Sequence, residues 1–397
     1  MRGSQRSTED GLMTRWAAIT AVAGAAIAAS LNGVPATAAP GEASTSAPAP
    51  VKTQLTELAQ AYMQSRADQL TLRPTTKVQV STRALTGALQ RRRAWESARL
   101  AENRELLRRE ALDGGYSHAV TKVTPGKLAV TGNVATFNVS EFTTLYSLKV
   151  SEADRARGYD WESYRLPQTL TFRYVGDAWL LDTVTAPTGG VPVPVQVGDP
   201  QPVAEPQVTG TDDERPASTT RPSTGALTAD VQPGEPQRQR SRPQNKHIIW
   251  YAEKYVYNYN RAYRRYDQDC TNFVSQALRH GGKKMVGSGA KNRRNDKMWF
   301  YGPTKKSTSF TWAAAANWGR FWSYRTLSLA SVWSTIPSDV IQIDWDGGGK
   351  DHTTVVVGWK SNGDRLLNYH TNDRQHASLD KLLKTYPKAR WYPRGVF

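Results

Sequence analysis

The sequence predicts an α+β protein, because two helical patterns precede a series of strand patterns. Residues 51–72 and 82–112 carry apolar side chains at the spacing of one helix face. After Tyr116, apolar residues recur at every second position. Turns containing Gly or Pro then separate four strand patterns, at residues 128–130, 134–139, 169–174 and 178–184. Helices followed by an antiparallel meander are typical of α+β domains.

Composition divides the chain into five segments. Arg15 precedes an apolar run, and Ala36-Thr37-Ala38 follows it as a small-x-small cleavage site, which predicts a secretory signal peptide. The run is too short to span a bilayer comfortably. The expected order is a signal peptide (1–38), a tether (39–52), an α+β domain (53–186), a Pro/Gly/Thr-rich linker (187–245) and a second domain (246–397). The first domain resembles cystatin- and NTF2-like folds by fold analogy alone, and we assign it no chemistry.

Charge narrows the range of partners. The net charge is +17, and from Lys246 onward 25 Lys and Arg stand against 11 Asp and Glu. Such an excess favours a polyanionic partner and says nothing about fold. Since we expect an exported protein, anionic cell-wall polymer is the expected partner. Nucleic acid and stable insertion into a membrane are not expected.

Cys270 is the only cysteine in the chain, so it cannot form an intramolecular disulfide and is a candidate reactive thiol. Asp269 is a favourable N-cap residue, and apolar residues at helical spacing follow until Gly281-Gly282. The thiol is therefore expected in the first turn of a helix, where N–H groups and the helix dipole stabilise a thiolate. The alternative is a small buried hydrophobic residue.

His352 is the candidate base, because it opens an apolar strand at residues 353–357 and should lie at the rim of a sheet. A histidine at a strand edge with no catalytic role is the alternative. The same block holds four further candidates, His247, His280, His370 and His376.

The hairpin after His352 supplies the candidates for a third catalytic residue. A two-residue turn at Asn362-Gly363 places Asp373 opposite His352. A bulge or a three-residue loop places Asn372 there instead, with His370 as a diagonal neighbour on the same face.

Several strings resemble a known family, the Putative amidase domain of secreted proteins from actinobacteria and other Gram-positive bacteria. They are Asp269-Cys270-Thr271-Asn272-Phe273-Val274-Ser275-Gln276, Ser338-Asp339-Val340, Asp351-His352-Thr353-Thr354 and Tyr369-His370-Thr371-Asn372. That family resembles the NlpC/P60 and CHAP cysteine peptidases, which share a papain-like arrangement. The resemblance covers residues 246–397. Ser338 departs from it, since glycine is expected before the Asp-Val pair.

The resemblance implies a papain-like cysteine amidase or peptidase that needs no metal or cofactor. Cys270 would be the nucleophile, His352 the base and Asn372 the orienting residue, with Asp373 and His370 as alternatives. Asp269 and Thr271 flank the thiol as oxyanion or positioning residues, and the Cys270 N–H is the expected oxyanion donor. The expected substrate is an amide of cell-wall peptide. The alternative is a non-catalytic protein that binds cell wall or glycan with the same fold.

Overall fold

The computed structural model describes residues 49–74, 80–186, 214–222 and 242–397. All of them belong to one compact unit, residues 44–397. The predicted signal peptide and most of the predicted tether and linker lie outside the described residues. Among the described helices, none combines the length and the hydropathy needed to cross a bilayer. We call residues 49–186 the N-terminal part and residues 242–397 the C-terminal part.

The N-terminal part begins with two helices, α1 (Ala49–Asp68) and α2 (Gly87–Glu110). Helix α1 starts inside the predicted tether, so the tether ends before residue 52. The hydroxyl of Thr86 caps α2 by accepting the Leu89 N–H. Both helices pack on a sheet through buried apolar residues that include Leu55, Tyr62, Met63, Leu89, Phe137 and Phe172.

Four antiparallel strands form that sheet, namely β1 (Tyr116–Thr131), β2 (Val134–Ser147), β3 (Trp161–Val175) and β4 (Ala178–Thr185), with the short helix α3 (Glu152–Ala156) between β2 and β3. Side chains along β2 alternate between buried and less buried, as the pattern predicts. The α+β class is confirmed. Strands β1 and β3 are longer than predicted, because polar residues interrupt the apolar pattern. Those of β1 are mostly exposed, whereas β3 also contains buried polar residues such as Glu162 and Gln168.

The C-terminal part contains five helices and six strands among its described residues. The helices are α4 (Lys246–Tyr255), α5 (Cys270–His280), α6 (Phe310–Ala313), α7 (Ala315–Ser323) and α8 (Leu379–Thr385). The strands are β5 (Leu327–Ser328), β6 (Val340–Asp344), β7 (His352–Trp359), β8 (Arg365–Tyr369), β9 (Arg374–Ser378) and β10 (Arg390–Gly395). The predicted helix after Asp269 and the predicted strand that opens at His352 are confirmed.

Strand β7 separates two cores. Val355 packs against α4 and α5 in a cluster with Phe273, and we call this side of the sheet the α5 face. Val356, the next residue, packs with Leu367 in a cluster that includes Leu379 of α8, and we call this side the α8 face. Because neighbouring side chains of a strand point to opposite faces, successive residues of β7 before the bulge meet the two cores alternately.

One sheet joins the two parts. Its order is β1-β2-β3-β9-β8-β7-β6-β10-β5, and β4 also pairs with β3. Strand β3 pairs with β9 through Ser163–Gln375 and Tyr164–Arg374. Separate folding of the two predicted domains stays a prediction.

Buried ion pairs also connect the two parts. Asp113 Oδ2 accepts bonds from Lys360 Nζ at 2.9 Å and Lys381 Nζ at 2.8 Å. Burial alone would raise the pKa of Asp113, but the two ammonium groups outweigh burial and hold the pKa well below its usual range. Glu162 of β3 pairs with Arg374 of β9 at 2.8 Å, and both side chains are buried.

Part of the predicted linker is packed on the C-terminal part. Ser218 bridges to Ser331, and the indole N–H of Trp333 donates to the Thr219 carbonyl at 2.9 Å. Just before the predicted domain start, Arg242 forms a buried ion pair with Asp339 at 2.6 Å. Residues 214–222 are therefore not free linker, and the contacts of the C-terminal part begin by residue 242.

Replacing Asp113 with alanine should reduce the free energy of unfolding by about 3–5 kcal/mol, because two buried ammonium groups would lose their partner. Urea unfolding followed by circular dichroism measures this change. Asp177→Ala, at an exposed turn, is the control and should change stability by less than about 0.5 kcal/mol. A similar small change for both variants would contradict the structural role of Asp113.

Candidate functional site

Cys270 is the first residue of α5. It is buried, with 2% of its surface exposed, and it forms no disulfide. The Cys270 N–H donates to Thr371 Oγ1 at 3.2 Å, and the Asp269 N–H donates to the same oxygen at 2.8 Å. One hydroxyl thus satisfies two N–H groups that the helix itself cannot bond. The expected oxyanion donor is already bonded within the protein.

The prediction that the Asp269 side chain caps α5 is wrong. Asp269 occupies the N-cap position, but its carboxylate makes no capping bond to α5. Its Oδ1 instead accepts the Tyr266 N–H and the side-chain amide of Asn272, and its Oδ2 lies 2.6 Å from His370 Nδ1. The buried imidazole draws the carboxylate inward, and Thr371 supplies the capping acceptor.

Thr271 connects the cysteine helix to the strand that carries His352. Its Oγ1 lies 3.1 Å from Oγ1 of Thr353 and 3.7 Å from Cys270 Sγ. The bond to Thr353 fixes α5 against the start of β7. It brings the backbones of Cys270 and His352 close together, because each residue directly precedes one of the bonded threonines.

The side chain of His352 turns away from this contact. It is fully buried, and its ring packs edge-on against Tyr369, with 4.9 Å between ring centroids. Tyr369 belongs to the α8 face, whereas Thr353, the next residue, contacts α5. Within the described part of the chain, neither ring nitrogen of His352 has a hydrogen-bond partner. The structure therefore shows no Cys270–His352 hydrogen bond, and that pair stays a prediction.

Burial controls the protonation of His352. Desolvation without a compensating partner lowers the pKa of His352 to about 3. The ring is consequently neutral at physiological pH. A pKa this low makes the buried imidazole a weak proton acceptor, so a role as general base requires a less buried position of the ring.

Neither predicted register of the hairpin occurs. The Lys360 N–H donates to the Asp364 carbonyl across a three-residue loop, and a bulge follows between Val356 and Gly358. We expected either a three-residue loop or a bulge, whereas the hairpin contains both. Continuing the last observed pair, Val355–Asn368, would place Thr371 opposite His352, one residue before Asn372.

His370 is the histidine that lies at the cysteine helix. Its Nδ1 bonds Asp269, and its Nε2 lies 3.0 Å from the Tyr255 carbonyl oxygen. The ring is stacked between Phe273 at 4.1 Å and Tyr259 at 4.0 Å. Both nitrogens are therefore committed to acceptors other than Cys270.

The other two candidates for the third catalytic residue lie in the turn after β8. Asp373 accepts bonds from the Tyr259 hydroxyl at 2.6 Å and from Arg165 at 2.8 Å. Asn372 is buried and has a φ of 60°. Neither bonds the His352 ring, so the identity of an orienting residue stays a prediction.

A cleft of about 960 Å³ reaches the N-terminus of the cysteine helix. Its lining residues are Ser140, Arg165 and Pro167 from the N-terminal part, Tyr257, Tyr259 and residues 265–268 before the helix, and residues 371–373. Thr371 lines the cleft and also accepts the Cys270 N–H. Sequence reasoning missed Arg165 and Tyr259, because neither lies in a motif.

Three carboxylates form the only group of potential metal ligands among the described residues. Oxygen atoms of Asp344, Asp346 and Asp351 lie within 4.8 Å of one another. Burial first, and the charges of Asp346 and Asp344 next, raise the pKa of Asp351 to about 6. Acidic groups often cluster without an ion, so the expectation of no metal stays a prediction.

Comparisons with known proteins cover the part of the chain that contains this site. The family described as Putative amidase domain matches residues 242–393. The chain is 33% identical over 131 residues to uncharacterized protein YhbB of Bacillus subtilis (strain 168). The matched segment makes up 32% of this chain and 40% of that protein. The chain is 30% identical over 141 residues to uncharacterized protein YjcM of the same strain, 31% of this chain and 30% of that protein. The chain thus spans less than half the length of each relative.

A solved structure, the Kfla4162 protein from Kribbella flavida, aligns with 34% of this chain and 90% of its own, at 14% identity and a TM-score of 0.23. That score is too low to support a functional argument. The family match alone therefore indicates a function, and the function it suggests is amide hydrolysis.

Replacing His352 with leucine should weaken the loss of stability in acid. The unfolded histidine binds a proton near pH 6.5, whereas the folded one does so only near pH 3. Stability is therefore lost as the pH falls through this window, by at most about 1.4 kcal/mol per pH unit. Urea titrations between pH 4 and 6 should give a shallower slope for His352→Leu than for the wild type. The exposed His247→Leu should keep the wild-type slope, and equal slopes in all three proteins would contradict the assignment.

Proposed function

We propose that this protein is a secreted cysteine amidase or peptidase that hydrolyses an amide of cell-wall peptide. The observation that best supports this proposal is the position of Cys270. It is the first residue of a helix, and it lies inside the region that matches an amidase family. A helix N-terminus stabilises a thiolate through its N–H groups and its dipole. The match supports amide hydrolysis, and the position of the thiol supports cysteine chemistry.

In the proposed mechanism, His352 takes the proton from the Cys270 thiol, and the sulfur attacks the amide carbonyl carbon. The resulting intermediate collapses, His352 protonates the leaving amine, and a thioester remains on Cys270. Water, deprotonated by the same imidazole, then releases the acid and restores the thiol. No metal or cofactor takes part.

His352 is preferred to His370 as the base because of hydrogen bonding. Both nitrogens of His352 are buried without a partner among the described residues, and such groups in a folded protein require an explanation. Both nitrogens of His370 already face acceptors. The His352 ring lies on the α8 face, whereas Cys270 starts α5 on the other side of the sheet. The proposal therefore requires the start of β7 to move, so that the ring reaches Cys270 and Asn372 orients it.

Charge supports a cell-wall substrate. In the C-terminal part, six basic residues from Lys246 onward are buried, and so are six acidic residues. The excess of positive charge therefore lies on the less buried side chains, where it can attract an anionic polymer. The cleft is also lined by Tyr257, Tyr259 and Tyr266, whose rings offer flat apolar surfaces to a peptide or sugar. Secretion rests on the signal-peptide pattern of residues 1–38.

A second candidate function is non-catalytic binding of cell wall or glycan. The low exposure of Cys270 and the engagement of its N–H by Thr371 favour this alternative. A nucleophile needs access to its substrate, whereas a binding protein would need only the cleft.

Cys270→Ala should reduce amide hydrolysis by at least about 10³-fold, because no other described residue offers a thiol. His352→Ala should have a similar effect, and Asn372→Ala a smaller one. Purified peptidoglycan digested with each variant, with new amino termini identified by mass spectrometry, measures the loss. His247→Ala is the control and should keep wild-type activity, since its side chain is exposed.

Two outcomes would contradict this proposal. Full activity of Cys270→Ala would exclude cysteine catalysis. Full activity of His352→Ala combined with an inactive His370→Ala would transfer the role of base to His370.

A further inference from the structure

The turn of residues 371–373, which we call the capping turn, closes the N-terminus of the cysteine helix. Thr371 Oγ1 accepts the N–H groups of Asp269 and Cys270. Cys270 itself is 2% exposed. The N–H that would stabilise an oxyanion during amide hydrolysis therefore bonds the capping turn instead.

The backbone of the capping turn is strained. Thr371 and Asn372 have φ values of 64° and 60°, in the left-handed region that β-branched residues rarely adopt. Such conformations persist only where surrounding contacts enforce them, and they are common at switch regions and active sites. The contacts that enforce this one must lie in the elements around the turn.

Arg165 of the N-terminal part and Tyr259 of the C-terminal part both contact the turn through Asp373. Arg165 of β3 binds Asp373 twice, because its guanidinium bonds the carboxylate at 2.8 Å and its backbone N–H bonds the Asp373 carbonyl at 2.9 Å. Tyr259 adds a bond from its hydroxyl to the same carboxylate at 2.6 Å. The guanidinium also lies over the rings of Tyr257 and Tyr259.

We infer that the N-terminal part regulates the enzyme by holding the capping turn closed over Cys270. Breaking the Arg165–Asp373 contact releases the turn, and Thr371 then leaves the helix N-terminus, so that the thiol and the Cys270 N–H become accessible. This inference rests on the proposed cysteine chemistry. It adds that the resting protein is closed, and that a ligand in the cleft, which both Arg165 and Thr371 line, opens it by competing for Arg165.

The test is alkylation of Cys270 by iodoacetamide, which needs no substrate. Alkylation rates are measured against pH, because the limiting rate at high pH reports access to the thiol and the midpoint reports its pKa. Arg165→Met keeps most of the apolar stem and removes the ion pair, and its limiting rate should rise about tenfold. Arg173→Met on the same strand breaks an ion pair with Asp182 outside the cleft, and it should react like the wild type.

A second pair of variants tests the hydroxyl without changing any charge. Thr371→Ala removes the acceptor and should raise the limiting rate, whereas Thr371→Ser keeps the acceptor and should react slowly. Thermal melting by circular dichroism verifies that each variant is folded.

Equal limiting rates for Arg165→Met and Arg173→Met would overturn the inference, and so would equal rates for Thr371→Ala and Thr371→Ser. Because alkylation is independent of turnover, these results are distinguishable from a failure of the proposed hydrolysis.

Discussion

One oxygen atom, Thr371 Oγ1, connects the main elements of the candidate site. It accepts two N–H groups at the start of the cysteine helix, and it belongs to the turn that links β8 to β9. That turn is bound through Asp373 to Arg165 of the N-terminal part. Helix, sheet and N-terminal part therefore meet within a few residues of Cys270, and a change in any of them acts on the environment of the thiol.

The buried Asp269–His370 pair explains why Thr371 is needed. A carboxylate at the N-cap position would ordinarily bond the first turn of its own helix. Here Asp269 is drawn to the imidazole at 2.6 Å and to the side chain of Asn272, which leaves the helix without its usual acceptor. The backbone bonds of this helix start consequently depend on a residue more than 100 positions later in the chain.

Local patterns predicted the elements of the site well. The bounds of α5 follow from the apolar spacing and from Gly281-Gly282, and the start of β7 follows from the apolar run after His352. The glycine expected at position 338 also has a physical reason. Ser338 has a φ of 82°, and its hydroxyl accepts the Asn245 N–H, which offsets part of the cost of that conformation.

Features that depend on distant residues were not predictable from these patterns. The residue that lies opposite His352 depends on a bulge and a three-residue loop together, and sequence spacing does not reveal that both are present. The pairing of β3 with β9, and the contact of Arg165 with the capping turn, join segments separated by about 200 residues without a shared motif. The capping role of Thr371 was missed because Asp269 satisfied the local rule.

The most direct measurement of the central claim is detection of an acyl group on Cys270. The wild-type protein is mixed with soluble cell-wall peptides, quenched in acid within the first turnover, digested with pepsin and analysed by mass spectrometry. We expect the peptide containing Cys270 to gain the mass of the acyl fragment, and we expect brief treatment with hydroxylamine to remove that fragment, because hydroxylamine cleaves thioesters. Amide hydrolysis that leaves no adduct on that peptide and continues after Cys270 is fully alkylated would exclude Cys270 as the nucleophile.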